Sequence, residues 1–193
     1  MEPHSQTDDT PQSRRILEGQ LREAYGRVVY THKTQEKCAD ILLRNQSWIR
    51  IAQIGLSALT TVGFITAVLG TSKLAAVVGL IVSAILLALN AYTKNYDPGE
   101  QAQKHRQTAS DLWLVREKYQ SLLVDLRMGE KPIEELQAQR DQRRDELHQI
   151  YRNAPSTNNG AYKRAQAALK LSEDMTFSDV EIDAFLPKEL KHS

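Results

Sequence analysis

Residues 51–93 read IAQIGLSALTTVGFITAVLGTSKLAAVVGLIVSAILLALNAYT, 43 residues whose only charged side chain is Lys73. The other 150 residues hold 48 charged side chains, or 32%. At the background of a quarter charged residues, a window of this length would carry about eleven. Lys73 divides the stretch into an uncharged run of 22 residues, Ile51 to Ser72, and one of 20, Leu74 to Thr93. A helix needs about 20 mainly apolar residues to cross a hydrocarbon core about 30 Å thick. Both runs meet that length. The link Gly70-Thr71-Ser72-Lys73 is short and turn-forming, so the two helices should be antiparallel neighbours. A buried hairpin inside a soluble bundle would have to hide two consecutive runs of this length. The expected fold is all-α: a two-pass transmembrane hairpin with long amphipathic cytoplasmic helices before and after it.

The flanks fit a bilayer. Trp48 precedes the first run, while Tyr92 and Tyr96 close the second, which places all three rings at one interface. Arg44, Arg50, Lys94, Lys104 and Arg106 share that side, against Lys73 alone at the far turn. The excess of basic residues predicts that both termini face the cytoplasm across the inner membrane, with Trp48, Arg50, Tyr92, Lys94 and Tyr96 marking the interface. The polar first 47 residues do not resemble a cleavable signal peptide.

Polar residues are few within the spans. Gln53, Ser57 and Thr60 fall close to one face of the first helix, interrupted by Phe64. On the second, Ala75, Gly79 and Ser83 repeat every fourth residue, a spacing that lets membrane helices approach closely. Two readings stand for Gln53, Ser57, Thr60 and Asn90. They are packing and interfacial groups, or they line a narrow aqueous path in an oligomer, with Gln53 and Asn90 near its cytoplasmic mouth. Neither run contains an ionisable group for a proton relay or a charged selectivity ring.

The remainder reads as helices. Thr10-Pro11 resembles an N-cap followed by Pro at the first helical position. Leu17, Leu21, Ala24, Val28, Thr31, Gln35, Cys38 and Leu42 keep alternating spacings of four and three, a heptad seam with a polar middle. Nothing stops this helix before Gly70, so it is expected to enter the membrane unbroken. Asp97-Pro98-Gly99-Glu100 starts another helix, ending near Gly129 and burying Ala109, Leu112, Trp113, Tyr119, Leu122, Leu123 and Leu126. Further helices are expected from about Pro132 to before Pro155, from Ala161, and after Ser178. The last has a Ser178–Glu181 capping box, a Phe177–Ile182 staple and a stop at Pro187. The expected organisation is a flexible tail over 1–12, a cytoplasmic helix over 13–47, the hairpin over 48–96, a helical pair over 97–153, and C-terminal helices and tail over 154–193.

Catalytic chemistry has no candidates. Cys38 is the only cysteine, and His4, His32, His105, His148 and His192 are scattered, so no metal or cofactor set is expected. There is no phosphate loop, dinucleotide fingerprint or nucleophile elbow. Arg140, Arg143 and Arg144 are balanced by neighbouring acids and read as a solvated helix face. A net charge of +1 offers nothing for nucleic acid.

Taken together, several short stretches resemble a known family. They are Tyr25 and Tyr30 ahead of Trp48; Leu56-Ser-Ala-Leu-Thr-Thr61; Leu112-Trp-Leu-Val-Arg-Glu-Lys-Tyr119 through Asp125; Tyr151-Arg-Asn-Ala-Pro155; Ala161-Tyr-Lys-Arg-Ala165; and Phe177-Ser-Asp179 through Pro187. The chain is similar over roughly Ser13 to Pro187 to the SLATT family, two-transmembrane effectors that associate with bacterial nucleotide-signalling and SLOG-type sensor proteins. The resemblance implies a role in antiphage defence: a partner makes or senses a nucleotide signal, and the effector compromises the membrane and kills or arrests the cell. The expected partners are the bilayer, further copies of the chain and a signalling or sensor protein. Two short helices enclose no lumen, so a pore would need several copies. Two rival readings are a non-conducting scaffold that recruits a soluble sensor and a receptor whose cytoplasmic helices bind a nucleotide directly. Sparse arginine clustering and the lack of Gly-rich loops count against the second.

Overall fold

The computed structural model describes residues 9–70, 73–171 and 177–185. Among these every regular element is helical: α1 Pro11–Val68, α2 Lys73–Asn95, α3 Pro98–Met128, α4 Ile133–Asn153, α5 Asn159–Leu171 and α6 Asp179–Phe185. Thr71 and Ser72 of the expected turn, the first eight residues of the expected tail, Pro187, His4 and His192 lie outside the described residues.

Local chemistry explains the boundaries. Thr10 Oγ1 accepts the Ser13 N–H at 3.1 Å and caps α1. The helix then runs 58 residues without a break, as expected from the lack of internal proline. Gly70 beyond it takes φ +68°, a left-handed conformation that glycine adopts without strain. Asp97 Oδ1 accepts the Gly99 and Glu100 N–H groups at 2.7 and 3.3 Å, starting α3, while Glu100 pairs forward with Lys104 at 2.8 Å. Gly129, at φ +75°, closes α3. Helix α5 begins two residues earlier than expected, because Asn158 Oδ1 accepts the Ala161 N–H at 2.9 Å. Ser178 and Glu181 form the capping box of α6, with the Ser178 N–H donating to the Glu181 carboxylate at 2.8 Å. Phe177 and Ile182 are both exposed, so the expected staple buries little.

The chain divides into two compact units, Met1–Lys37 with Thr108–Ser193, and Cys38–Gln107. The first has a core of Leu17, Leu21 and Val28 from α1, Leu112, Val115, Tyr119, Leu122 and Leu126 from α3, and Ile133 and Leu136 from α4. Val115 is buried where Trp113 was expected, and Trp113 is 48% exposed. The buried α3 positions 112, 115, 119, 122 and 126 alternate three and four, and Trp113 sits about 100° off that line. Helix α5 buries Ala161, Ala165 and Ala168, and its Tyr162 stacks on Tyr30 with ring centroids 6.2 Å apart.

Of the polar seam residues, Gln35 is buried and Thr31 half-buried, and His32 and Thr34 beside the seam are buried as well. His32 Nδ1 donates to the Ala109 carbonyl at 2.9 Å, Gln35 Nε2 to the Pro155 carbonyl at 3.3 Å, and Thr34 Oγ1 to the Tyr30 carbonyl at 2.7 Å. Buried polar groups persist in a core only when paired in this way. The His32 side chain first, and Lys33 second, hold the Glu36 carboxyl down to a pKa of about 2. Two of the three arginines expected on a solvated face of α4 are less solvated than expected, Arg140 and Arg143 being only 26% and 17% exposed, whereas Arg144 is 70% exposed as expected. Arg140 donates to Gln20 of α1 at 2.8 Å, and Arg143 to Glu146 at 2.7 Å.

Candidate functional site

In the second unit, the later half of α1 and all of α2 form the hairpin. Each of the two helices holds a stretch long and apolar enough to cross a membrane, and none of either stretch is buried. Ile54, Phe64, Leu69, Leu74, Leu80 and Leu87 are among the exposed side chains. Burying apolar surface is worth about 25 cal/mol per Å², so a coat of this kind is stable only where something other than water covers it.

The helices meet along one half-buried line. It passes through Gln53, Leu56, Thr60, Gly63 and Thr66 of α1 and Ala75, Gly79, Val82, Leu86, Leu89 and Thr93 of α2. The α2 positions alternate four and three, so the contact line follows a heptad rather than a repeat of four. Ala75 and Gly79 therefore lie on it, while Ser83, a further four residues on, has rotated away and is exposed. The two backbones come together at Gly63 and Gly79. A Cβ on Gly63 would lie 3.0 Å from the Gly79 Cα and 3.5 Å from the Ala75 carbonyl oxygen. Gly63 was not singled out from the sequence; its signal is its position on the continued α1 seam, opposite a small residue.

The polar residues of the spans are bonded within the chain. Gln53 Nε2 donates to Asn90 Oδ1 at 2.8 Å and to Thr93 Oγ1 at 3.4 Å. Ser57, Thr60 and Thr61 hydroxyls donate to the carbonyls four residues back at 2.8 to 3.0 Å, a habit that satisfies a hydroxyl in an apolar medium. Asn90 is nonetheless exposed, and its amide N–H₂ and the Gln53 side-chain oxygen, Oε1, have no hydrogen-bond partner among the described residues. Trp48, Tyr92 and Tyr96 are exposed as well, and the two tyrosine rings lie 5.7 Å apart. Arg50 and Lys94 have no carboxylate partner among the described residues.

No curated protein and no solved structure matches the chain. A family model does, over residues 17–181: the SMODS and SLOG-associating 2TM effector domain family 4. The two unburied apolar helices are the two membrane segments which that description requires. The chain belongs to this family of two-transmembrane effector domains associated with nucleotide-signalling systems.

Proposed function

We propose that the chain is the inner-membrane effector of a bacterial antiphage defence system, and that several copies assemble to open or disrupt the bilayer when a nucleotide signal is sensed. The observation that carries this reading is the hairpin itself. It is apolar on its outward surface and packed backbone to backbone at Gly63 and Gly79. A single copy so closed has no room for an aqueous path, and conduction requires several. The unpartnered Asn90 amide on the outward surface supports association, because a polar group in lipid is stabilised by a partner on a neighbouring helix. Conductance of the purified protein in liposomes, with and without its signalling partner, tests the reading. Silence under both conditions with full insertion would favour the scaffold reading, for which half-exposed Trp113 on the first unit offers a docking residue.

Topology is open to direct test. The unpaired cations near Trp48 and Tyr92 lead us to expect both termini in the cytoplasm. Reporter fusions at Met1 and at Ser193 should both report cytoplasm, and a periplasmic signal from either end would sink the hairpin orientation.

The amide pair distinguishes conduction from packing. Gln53→Leu alone strands Asn90 without its partner, whereas Gln53→Leu with Asn90→Leu removes both polar groups. One interhelical hydrogen bond in a membrane is worth only about 0.6 kcal/mol, so the double variant should insert and assemble normally. If these amides line the path, its single-channel conductance should nevertheless fall several-fold, by about 3-fold or more. Conductance that falls only in step with crosslinked oligomer yield would assign the amides to packing instead.

A further inference from the structure

At the end of the hairpin marked by the aromatic rings, a pocket of about 200 Å³ opens among Gln46, Arg50 and Gln53 of α1, Thr93 of α2, and Asp97 at the head of α3. In sequence these residues bracket Trp48, Tyr92 and Tyr96, so the pocket sits at headgroup depth. The charges in it are separate. Arg50 has no carboxylate partner among the described residues. Asp97 spends one oxygen, Oδ1, on the Gly99 and Glu100 N–H groups and on Gln46 Nε2 at 3.4 Å. Its Oδ2 has no partner among the described residues. The Gln53 side-chain nitrogen is committed to Asn90 and Thr93, which leaves its side-chain oxygen, Oε1, as a second free acceptor.

We propose that this pocket holds the headgroup of a phospholipid bearing a primary ammonium, that is, phosphoethanolamine. A guanidinium suits a phosphate oxygen pair. Two free acceptors, Asp97 Oδ2 and Gln53 Oε1, suit an ammonium carrying three N–H donors. A phosphocholine headgroup carries the same charges but has no N–H to donate, and a phosphoglycerol headgroup has no cation. The inference rests on the hairpin crossing a bilayer and not on its conducting, so it can fail while the pore reading stands. It holds for either leaflet.

The test is retention of lipid by the full chain. Protein extracted into mixed micelles holding equal phosphatidylethanolamine, phosphatidylglycerol and phosphatidylcholine of matched acyl chains is examined by native mass spectrometry. Phosphatidylethanolamine adducts should exceed phosphatidylcholine adducts by about tenfold, the worth of one charge-assisted hydrogen bond. Asp97→Ser keeps a side-chain oxygen to cap α3 and should invert the preference toward phosphatidylglycerol; Asp97→Asn should do the same if the serine variant folds poorly. Arg50→Gln should lower retention of all three. Soluble phosphoethanolamine, which lacks acyl chains, should not displace the lipid. Equal retention of the ethanolamine and choline lipids, or an unchanged preference in both Asp97 variants, overturns the proposal.

Discussion

Gly63→Leu is expected to pry the hairpin open and abolish the closed arrangement of α1 and α2. A side chain at position 63 meets backbone, the Gly79 Cα and the Ala75 carbonyl, rather than the end of a flexible side chain. Backbone gives way only by moving a helix. Overpacking a fitted interior costs about 1–3 kcal/mol, and a contact with no side chain to rearrange belongs at the upper end of that range. Gly55→Leu is the matched control, because a Cβ there meets nothing within 4 Å on the same helix. The measurement is the yield of a disulfide between cysteines placed near the two ends of the contact line, in membranes. Gly63→Leu should lose most of that yield and Gly55→Leu should keep it. Gly79→Ala should be milder than Gly63→Ala, since the new Cβ would stand 3.4 Å rather than 3.0 Å from its nearest atom. Equal losses at positions 55 and 63 would mean that membrane insertion, not close packing, suffers.

That contact marks the boundary of what could be read from the residues alone. The two spans were legible because the absence of charge over 42 of 43 residues is a response to solvent, and solvent acts on composition. Helix starts at Thr10, Asp97 and Ser178 were legible because capping is settled within three or four residues. Asn158 carries the same signal but lies ahead of the start expected at Ala161, which is why α5 starts earlier than expected. Pairings between distant segments were not legible. Gly79 was identified as a small residue, but its partner depends on the register set by the turn between the helices. Gln53 and Asn90 were seen to share one end of the hairpin, yet the bond between them depends on that same register. The buried His32 and Gln35 find backbone carbonyls 77 and 120 residues away, and a heptad pattern does not say which polar core positions will be satisfied so. Ser83 illustrates the opposite error. A repeat of four rotates by about 40° at each step relative to a straight helix of 3.6 residues per turn, and a line of contact does not.

Leu112→Ala is expected to be the most destabilising single truncation in the first unit. Leu112 is fully buried and lies in one cluster with Leu17, Leu21 and Val28 of α1 and Leu136 of α4. Removing its side chain forfeits the transfer free energy of the lost methyls and leaves a cavity that three helices must close around. Such changes cost about 2–5 kcal/mol. A domain of this size is stable by only about 5–15 kcal/mol, so the loss is a large share of the whole. Trp113→Ala, one residue away, removes a larger side chain that is half exposed, and surface changes usually stay within about 0.5 kcal/mol. The contrast separates position from size. Amide hydrogen exchange on the full chain in detergent reads it directly. Protection in α3 and α4 should fall by at least about tenfold per 1.4 kcal/mol lost in Leu112→Ala, and hardly at all in Trp113→Ala. Exchange within α2 should remain as in the parent, because α2 contributes nothing to this cluster. A larger effect at Trp113 than at Leu112 would place the indole in a core, and the α3 heptad line through 112, 115 and 119 would have to be redrawn.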